Sequence, residues 1–483
     1  MSIARKAIRG TFWFSGVSYI TFAISLVGNM ILARLLMPED FGIFALALAL
    51  NELVYILASF SFSQGVVQIQ DEENVTDVAF VLSLALGVLL IILALVLSPI
   101  IAHFCSRKVA ILFLILCGAG LINLLAGVYG AQLQKEFEFK SLSLVRFGAS
   151  PLSMIIAVGM AFFGLGVWSL LVRSVLLSVF SFFGYRWLSS WKFKWHIDRK
   201  VFRRLFNFGC KMFFLRSLEI AYSRLDRLII GTLSNTITLG LYHQARYLAD
   251  LGNVVTAPGF FSVAFPTYAH YQNDKTRLEQ SYRIVNYFLV RIMGFFLLTF
   301  ALFPKEIIFL LYGQKWVKAA PALQIFCIYA FFVPIFENMK AFLMGKGQVS
   351  KAAKARLLQV ASLIPLLIFG VLWKGLQGAA AATSIAMIIG ILGGFYYINK
   401  SHPISFKEIH LRPLMAVALT ILIYEFIKPV LNVQIKGLTS IAHIAGLNVI
   451  YALLLLIIEN SALVTNIRFI LSKIREKETF QLN

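Results

Sequence analysis

Residues 207–231, NFGCKMFFLRSLEIAYSRLDRLIIG, have the length of a membrane-spanning helix yet carry six charges: Lys211, Arg216, Glu219, Arg224, Asp226 and Arg227. A charged side chain near the bilayer centre costs at least roughly 2.5–3.5 kcal/mol, so such residues face a bundle interior or a water-filled cavity. At about 100° per residue, Lys211, Tyr222, Asp226, Glu219, Ser223, Arg216 and Arg227 share an arc of roughly 160°. Arg224 sits off that arc. Phe213, Phe214, Leu218, Ala221, Leu225 and Leu228 form the opposite face. The reading is a helix with one wet side and something anionic passing along it.

The rest of the chain is far more apolar. Of its 483 residues 59% are hydrophobic and 14% charged, against about 45–50% and 25% in soluble globular chains. Repeated stretches of about 20 apolar residues mark an all-α polytopic membrane protein. About fourteen spans are expected, near 11–34, 41–66, 77–101, 109–132, 143–164, 167–188, 207–231, 237–265, 282–303, 321–344, 353–373, 375–398, 412–430 and 438–459. The net charge of +22 reads as basic cytoplasmic loops and a cationic interior, with no nucleic-acid partner. The N-terminal run behind Arg5, Lys6 and Arg9 reads as an uncleaved first span. The four cysteines, Cys105, Cys117, Cys210 and Cys327, form no CxxC pair. They are expected to be small buried hydrophobes, with no disulfide framework or metal site.

With the N-terminus in the cytoplasm, 26 Lys and Arg fall in or beside cytoplasmic segments and 9 on the opposite side. That bias supports an even number of spans with both termini inside. The acidic loop around Asp71, Glu72 and Glu73 runs against it, but acidic residues weigh little in the rule. The basic stretch 186–204 interleaves Trp187, Trp191 and Trp195 with cations. It reads as an amphipathic linker on anionic headgroups or as an ordinary cytoplasmic loop. The expected divisions are a six-helix lobe over 1–188, this linker over 189–206, a second six-helix lobe over 207–400, and two extra helices with a basic tail over 401–483.

An internal repeat crosses the linker. Arg34-Leu-Leu followed by Phe41-Gly42-Ile43-Phe44-Ala45-Leu46-Ala47 matches Arg227-Leu-Ile followed by Leu239-Gly240-Leu241-Tyr242-His243-Gln244-Ala245. A duplicated six-span unit in one orientation predicts lobes related by an axis along the membrane normal, with a cavity between them.

Three segments carry a family resemblance: Ala33-Arg34-Leu35-Leu36-Met37-Pro38-Glu39-Asp40-Phe41-Gly42; Asp226-Arg227-Leu228-Ile229-Ile230-Gly231 with Leu239-Gly240-Leu241-Tyr242; and Leu311-Tyr312-Gly313-Gln314-Lys315-Trp316 with Ala319-Ala320-Pro321. The chain resembles the polysaccharide transport family of the multidrug/oligosaccharidyl-lipid/polysaccharide superfamily. The resemblance implies two six-helix lobes in a V plus two C-terminal helices. It implies a bacterial cytoplasmic-membrane flippase that moves an undecaprenyl-pyrophosphate-linked glycan to the periplasmic leaflet. A polysaccharide polymerase and a chain-length regulator are the partners such a protein would work beside. A peptidoglycan lipid II flippase is the nearest alternative. A membrane glycan polymerase or ligase would need a large outer loop, and a cation exporter would not line its path with Lys and Arg.

Candidate substrate contacts are Arg173, Lys211, Arg216, Arg227 and Arg246, which offer charge-assisted donors to a pyrophosphate or acidic sugar. Ser18 and Asn29 join them from a polar stripe on the first span with Ser15, Tyr19 and Ser25, unless that stripe is small-residue helix packing. Arg291 and Lys340 are expected to snorkel to the interface. Glu52, Glu219 and Asp250 are the candidates for H+ or Na+ coupling. The plainer alternative pairs Glu219 with Arg216, Asp250 with Arg246, and Glu337 with Lys340, leaving Glu52 and Glu425 without a local partner. Pro258-Gly259 and Pro334 are expected to interrupt the eighth and tenth spans. No P-loop, HExxH or GxSxG triad occurs, so no catalytic residue and no cofactor is assigned.

Overall fold

The computed structural model describes residues 3–60, 62–69, 74–195, 198–400, 406–431 and 439–459. Among these residues the chain is helical throughout, without strands. In chain order the helices are α1 (Ile3–Leu35), α2 (Pro38–Val54), α3 (Phe62–Gln68), α4 (Val75–Phe104), α5 (Arg107–Lys135), α6 (Phe139–Phe162), α7 (Val167–Leu188) and α8 (Arg199–Leu233). They continue with α9 (Thr236–His270), α10 (Lys275–Leu302), α11 (Pro304–Tyr312), α12 (Ala320–Gly345), α13 (Val349–Asn399), α14 (Phe406–Leu431) and α15 (Thr439–Glu459).

Ten of these helices are long and apolar enough to cross a membrane. α13 is two limbs of a hairpin, because Lys374 and Gly375 leave helical geometry at its middle. Gly375 has φ +51°, a turn that costs a glycine little. With α13 counted twice, and with α8, α9 and α14, which have spanning length, the fourteen expected segments are all helical. α4 shows what their outer faces meet. Leu89, Ile92, Leu95 and Val96 are all more than half exposed, an apolar stripe suited to lipid rather than water. The chain is a multi-pass membrane protein.

Polar side chains set the helix starts. Asp198 opens α8 by accepting from the Lys200 amide at 2.7 Å. Asp274 does the same for α10 with Arg277 at 3.0 Å, and Ser106 for α5 with Val109 at 3.2 Å. Such caps satisfy amides that the helix itself leaves unpaired. The second expected span is not one helix. α2 ends at Val54, a 3-10 stretch covers Tyr55–Phe60, and α3 follows. The expected proline breaks are absent, since α9 runs through Pro258 and α12 through Pro334. That continuity has a simple cause: helices packed in a bundle resatisfy the groups a proline frees.

By contact the chain forms two compact units, one of Met1–His243 with Leu311–Lys315 and one of Gln244–Leu310 with Trp316–Asn483. The division expected at 189–206 lies inside the first unit. There residues 189–195 are extended and strapped back onto the bundle. Asp77 accepts from the Lys194 amide at 2.8 Å, Phe193 lies 4.7 Å from Phe80, and Trp191 lies 5.0 Å from Tyr129. Trp187 and Trp195 are exposed. α8 then packs on α2, α3 and α4, burying Val201 and Leu205. The loop residues Asp71, Glu72 and Glu73 lie outside the described residues.

The repeat becomes a reciprocal contact inside this first unit. A Cβ on Gly42 would overlap the Thr236 carbonyl, and a Cβ on Gly240 would overlap the Pro38 carbonyl. An offset of 198 residues carries Pro38 to Thr236 and Gly42 to Gly240, so the starts of α2 and α9 cross as symmetric partners. The third signature segment joins them. The Arg34 guanidinium donates to the Leu311 carbonyl at 3.2 Å, and the Lys315 ammonium to the Arg34 carbonyl at 3.4 Å. Gly42→Ala or Gly240→Ala is therefore expected to cost about 1–3 kcal/mol by overpacking. Gly118→Ala and Gly148→Ala, where a Cβ meets open space, serve as controls. Thermal unfolding of the purified protein in detergent would show a lower Tm for the first pair only.

Candidate transport site

α8 is 35 residues long, or about 52 Å at 1.5 Å per residue, well beyond the roughly 30 Å hydrocarbon layer. Glu219 lies at the middle of its 207–231 span and is exposed, while Arg227 is half-buried. The side chains of Lys211, Arg216, Tyr222 and Ser223 lie outside the described residues. Two members of the helix depart from the expected arc. Asp226 is fully buried, where its carboxylate accepts from the Tyr242 hydroxyl at 2.8 Å and from the Arg227 amide at 2.8 Å. It belongs to the packing of α8 against the start of α9, not to a wet face. Arg224, off the arc, forms an ion pair with Glu52 of α2, both side chains 24% exposed. Glu52 thus has a partner that only the tertiary fold supplies.

The second unit holds most of the remaining buried charge. Arg246 of α9 is buried and lies 3.9 Å from Asp250, the expected pair one turn apart. Its guanidinium also donates to the Tyr329 hydroxyl at 2.9 Å and lies 4.6 Å from the centre of that ring. Glu337 of α12 meets Lys340 at 2.8 Å and Arg356 of α13 at 2.8 Å. Arg356 is buried against Phe336.

Arg291 and Lys340 do not snorkel. Lys340 is held by Glu337 and is only 13% exposed. Arg291 is buried and its guanidinium donates twice to Glu459 of α15, at 2.6 and 2.5 Å. The Tyr287 hydroxyl donates to the same carboxylate at 2.9 Å. Reaching an interface costs a long side chain little only when no counter-charge is nearer. Glu459 sits 168 residues away in sequence, beyond any local pairing rule. We expect Arg291→Leu or Glu459→Leu alone to destabilise the protein by about 3–5 kcal/mol, and the double Arg291→Met/Glu459→Leu variant to recover most of it. Denaturation midpoints of the three variants check this.

The other predicted residues are placed singly. Arg173 of α7 and Ser18 of α1 are half-buried. Asn29 is buried. Near it Ser25 shares a hydrogen bond with Ser150 of α6 at 3.2 Å, and a Cβ on Gly28 would overlap the Met154 side chain. At these positions the polar stripe of α1 is close helix packing. Of the cysteines Cys117 and Cys327 are buried, but Cys105, at the end of α4, is exposed. Lys275, Lys346 and Lys351 gather at one end of the second unit. Burial, then the charges of Lys351 and Lys275, pull the Lys346 ammonium below its usual range, with Glu279 opposing. Among the described residues no group of three His, Cys, Asp or Glu is placed to hold a metal.

Residues 31–321 match the family model described as "Polysaccharide biosynthesis protein". An uncharacterized membrane protein in the cps region of Klebsiella pneumoniae is 24% identical over 421 residues, 83% of this chain and 84% of that one. The succinoglycan biosynthesis transport protein ExoT of Rhizobium meliloti is 23% identical over 477 residues, 95% of this chain and 94% of that one. Among solved structures, the lipid II flippase MurJ in an inward closed conformation superposes with TM-score 0.73 at 16% identity, covering 93% of this chain and 99% of that one. That likeness shows a shared fold.

Proposed function

Because this chain belongs to the polysaccharide biosynthesis protein family, we propose that it is a flippase for undecaprenyl-pyrophosphate-linked oligosaccharides. It moves these units across the bacterial cytoplasmic membrane, by alternating access, for cell-surface polysaccharide synthesis. The observation that carries the reading is Glu219, exposed at the middle of a helix of spanning length. A carboxylate there is satisfied by a neighbouring cation or by water inside the membrane, and a wet, cation-lined path is what a glycan pyrophosphate requires. Relatives named for polysaccharide transport support the same reading.

In this account Lys211, Arg216 and Arg227 of α8, with Arg173 and Arg246, contact the pyrophosphate and glycan, while the prenyl tail stays in lipid. Both termini lie in the cytoplasm, and the chain does no covalent chemistry of its own. The proposed partners are the lipid-linked glycan, anionic membrane lipids, and the polymerase and chain-length regulator that consume the product. An ion gradient or glycan consumption sets the direction.

Deleting the gene in its host and extracting the lipids tests the substrate. Mass spectrometry should show a defined polyprenyl-pyrophosphate oligosaccharide accumulating, with loss of surface polymer. Accumulated lipid II would instead assign the peptidoglycan substrate, and an unchanged lipid pool would remove glycan export as the role.

Glu52 is the proposed coupling carboxylate, held by Arg224. The Glu52→Gln/Arg224→Gln double variant keeps the packing and removes both charges. If Glu52 carries the coupling ion, export should fall at least about tenfold in this variant at normal protein level, the scale of a lost charged contact. Wild-type export from it would make the pair purely structural.

A further inference from the structure

The first unit has an open-sided hollow of about 770 Å³ that no signature residue lines. Its walls come from α1, α3, α5, α6 and α7. The size lies within the roughly 300–1,000 Å³ typical of ligand pockets. Along α5 it runs from Gln134, near the helix end, to Asn123, about 16 Å deeper at 1.5 Å per residue.

The lining sets amides, hydroxyls and one guanidinium among apolar side chains, a mixture that suits a polar ligand with apolar faces better than a cation. Asn123, Gln134 and Arg146 are exposed into this space, on helices that otherwise read as membrane spans. Thr21 brings a buried hydroxyl oxygen that has no hydrogen-bond partner among the described residues. Ser178 also lines the space, its hydroxyl donating to the Ser174 carbonyl of its own helix at 3.2 Å and keeping its acceptor capacity. Tyr185 adds an aromatic face. Among the described residues no Asp or Glu lines the space, and Arg146 is its one charged group. Amides, hydroxyls and a guanidinium exposed on helices of spanning length call for water or a polar ligand beside them. Amides and hydroxyls on several walls match a polyhydroxylated ligand, and a lone guanidinium admits neutral or acidic groups while disfavouring cations.

We propose that this hollow is a saccharide subsite, which takes neutral or acidic sugar units of the lipid-linked glycan while its pyrophosphate stays outside. The proposal rests on the flippase reading and adds the part of the substrate that this unit recognises. Specificity for the sugar then resides in Asn123, Gln134, Arg146 and their neighbours rather than in the signature segments.

Gly127 of α5 lines the hollow and gives a clean test. A Cβ there would stand 3.7 Å from Ser63, an ordinary contact. Gly127→Ala should therefore be tolerated, while Gly127→Leu projects into the hollow and occupies it. The wild type and both variants are returned to the deletion host, and the pool of lipid-linked oligosaccharide is measured by mass spectrometry. In parallel, the oligosaccharide released from that pool by mild acid is titrated onto each purified protein. The expected result is that Gly127→Ala behaves as wild type, and that Gly127→Leu binds the free oligosaccharide at least about tenfold more weakly and leaves the pool high, the scale of several lost hydrogen bonds. If Gly127→Leu does not reach the membrane, Asn123→Leu with Gln134→Leu, which removes only hydrogen-bonding groups, decides on the same two readings. Wild-type binding and clearance by the filled or stripped hollow would overturn the subsite and leave the flippase reading standing. A wild type that does not clear the pool would overturn the flippase reading and the subsite with it.

Discussion

The hydrocarbon layer offers a charge nothing: no water, no counter-ion, no hydrogen bond. Each ionised side chain on a spanning helix therefore needs a partner from the protein or access to an aqueous space. That constraint orders most of the interior. Glu337 is met by two cations from two helices, Arg291 by both oxygens of Glu459 and by contact with Tyr287, and Glu52 by Arg224. Asp226 is satisfied by a tyrosine hydroxyl and an amide. Glu219 is exposed at the middle of its span, and the flippase reading puts water there. Paired charges hold the helices in register, and on the flippase reading Glu219 faces the aqueous path.

The family signature takes on a physical meaning. Its first two segments cross glycine against backbone at the starts of α2 and α9, and its third bonds back to Arg34. These contacts end on main-chain atoms: glycine against carbonyl, and the Arg34 and Lys315 side chains on carbonyl oxygens. A signature that is mostly packing, with Arg227 as its proposed contact to the pyrophosphate, identifies a family without identifying a sugar. The hollow in the first unit carries none of those residues.

Much of the fold was legible in the sequence, because helices in lipid must be long and apolar and the loops between them are short. Over the described residues all fourteen segments are helical, and the repeat Phe41-Gly42 against Leu239-Gly240 marked a contact that the structure makes reciprocal. The break in the second span was not legible, since Tyr55–Phe60 is as apolar as a helix would be. Local charge pairs were readable one turn apart, as in Arg246 with Asp250 and Lys340 with Glu337. Pairs set by tertiary packing were not. Nothing near Arg291 points to Glu459, and nothing near Glu52 points to Arg224. The burial of Asp226 escaped the helical arc because a wheel gives direction but not what lies there. The hollow escaped for a related reason. Asn123, Gln134 and Arg146 sit on different helices or turns, and only folding brings them around one space.

The flippase reading turns on water reaching α8 inside the membrane. With Cys105, Cys117, Cys210 and Cys327 replaced, a Glu219→Cys variant would be exposed to a membrane-impermeant maleimide in intact cells and in inverted vesicles. The introduced thiol should be labelled from at least one side, at a rate comparable with a cysteine in a loop, and lipid-linked oligosaccharide should slow the reaction. A thiol unreactive from both sides, in a protein that folds and exports normally, would place Glu219 away from water and contradict the reading.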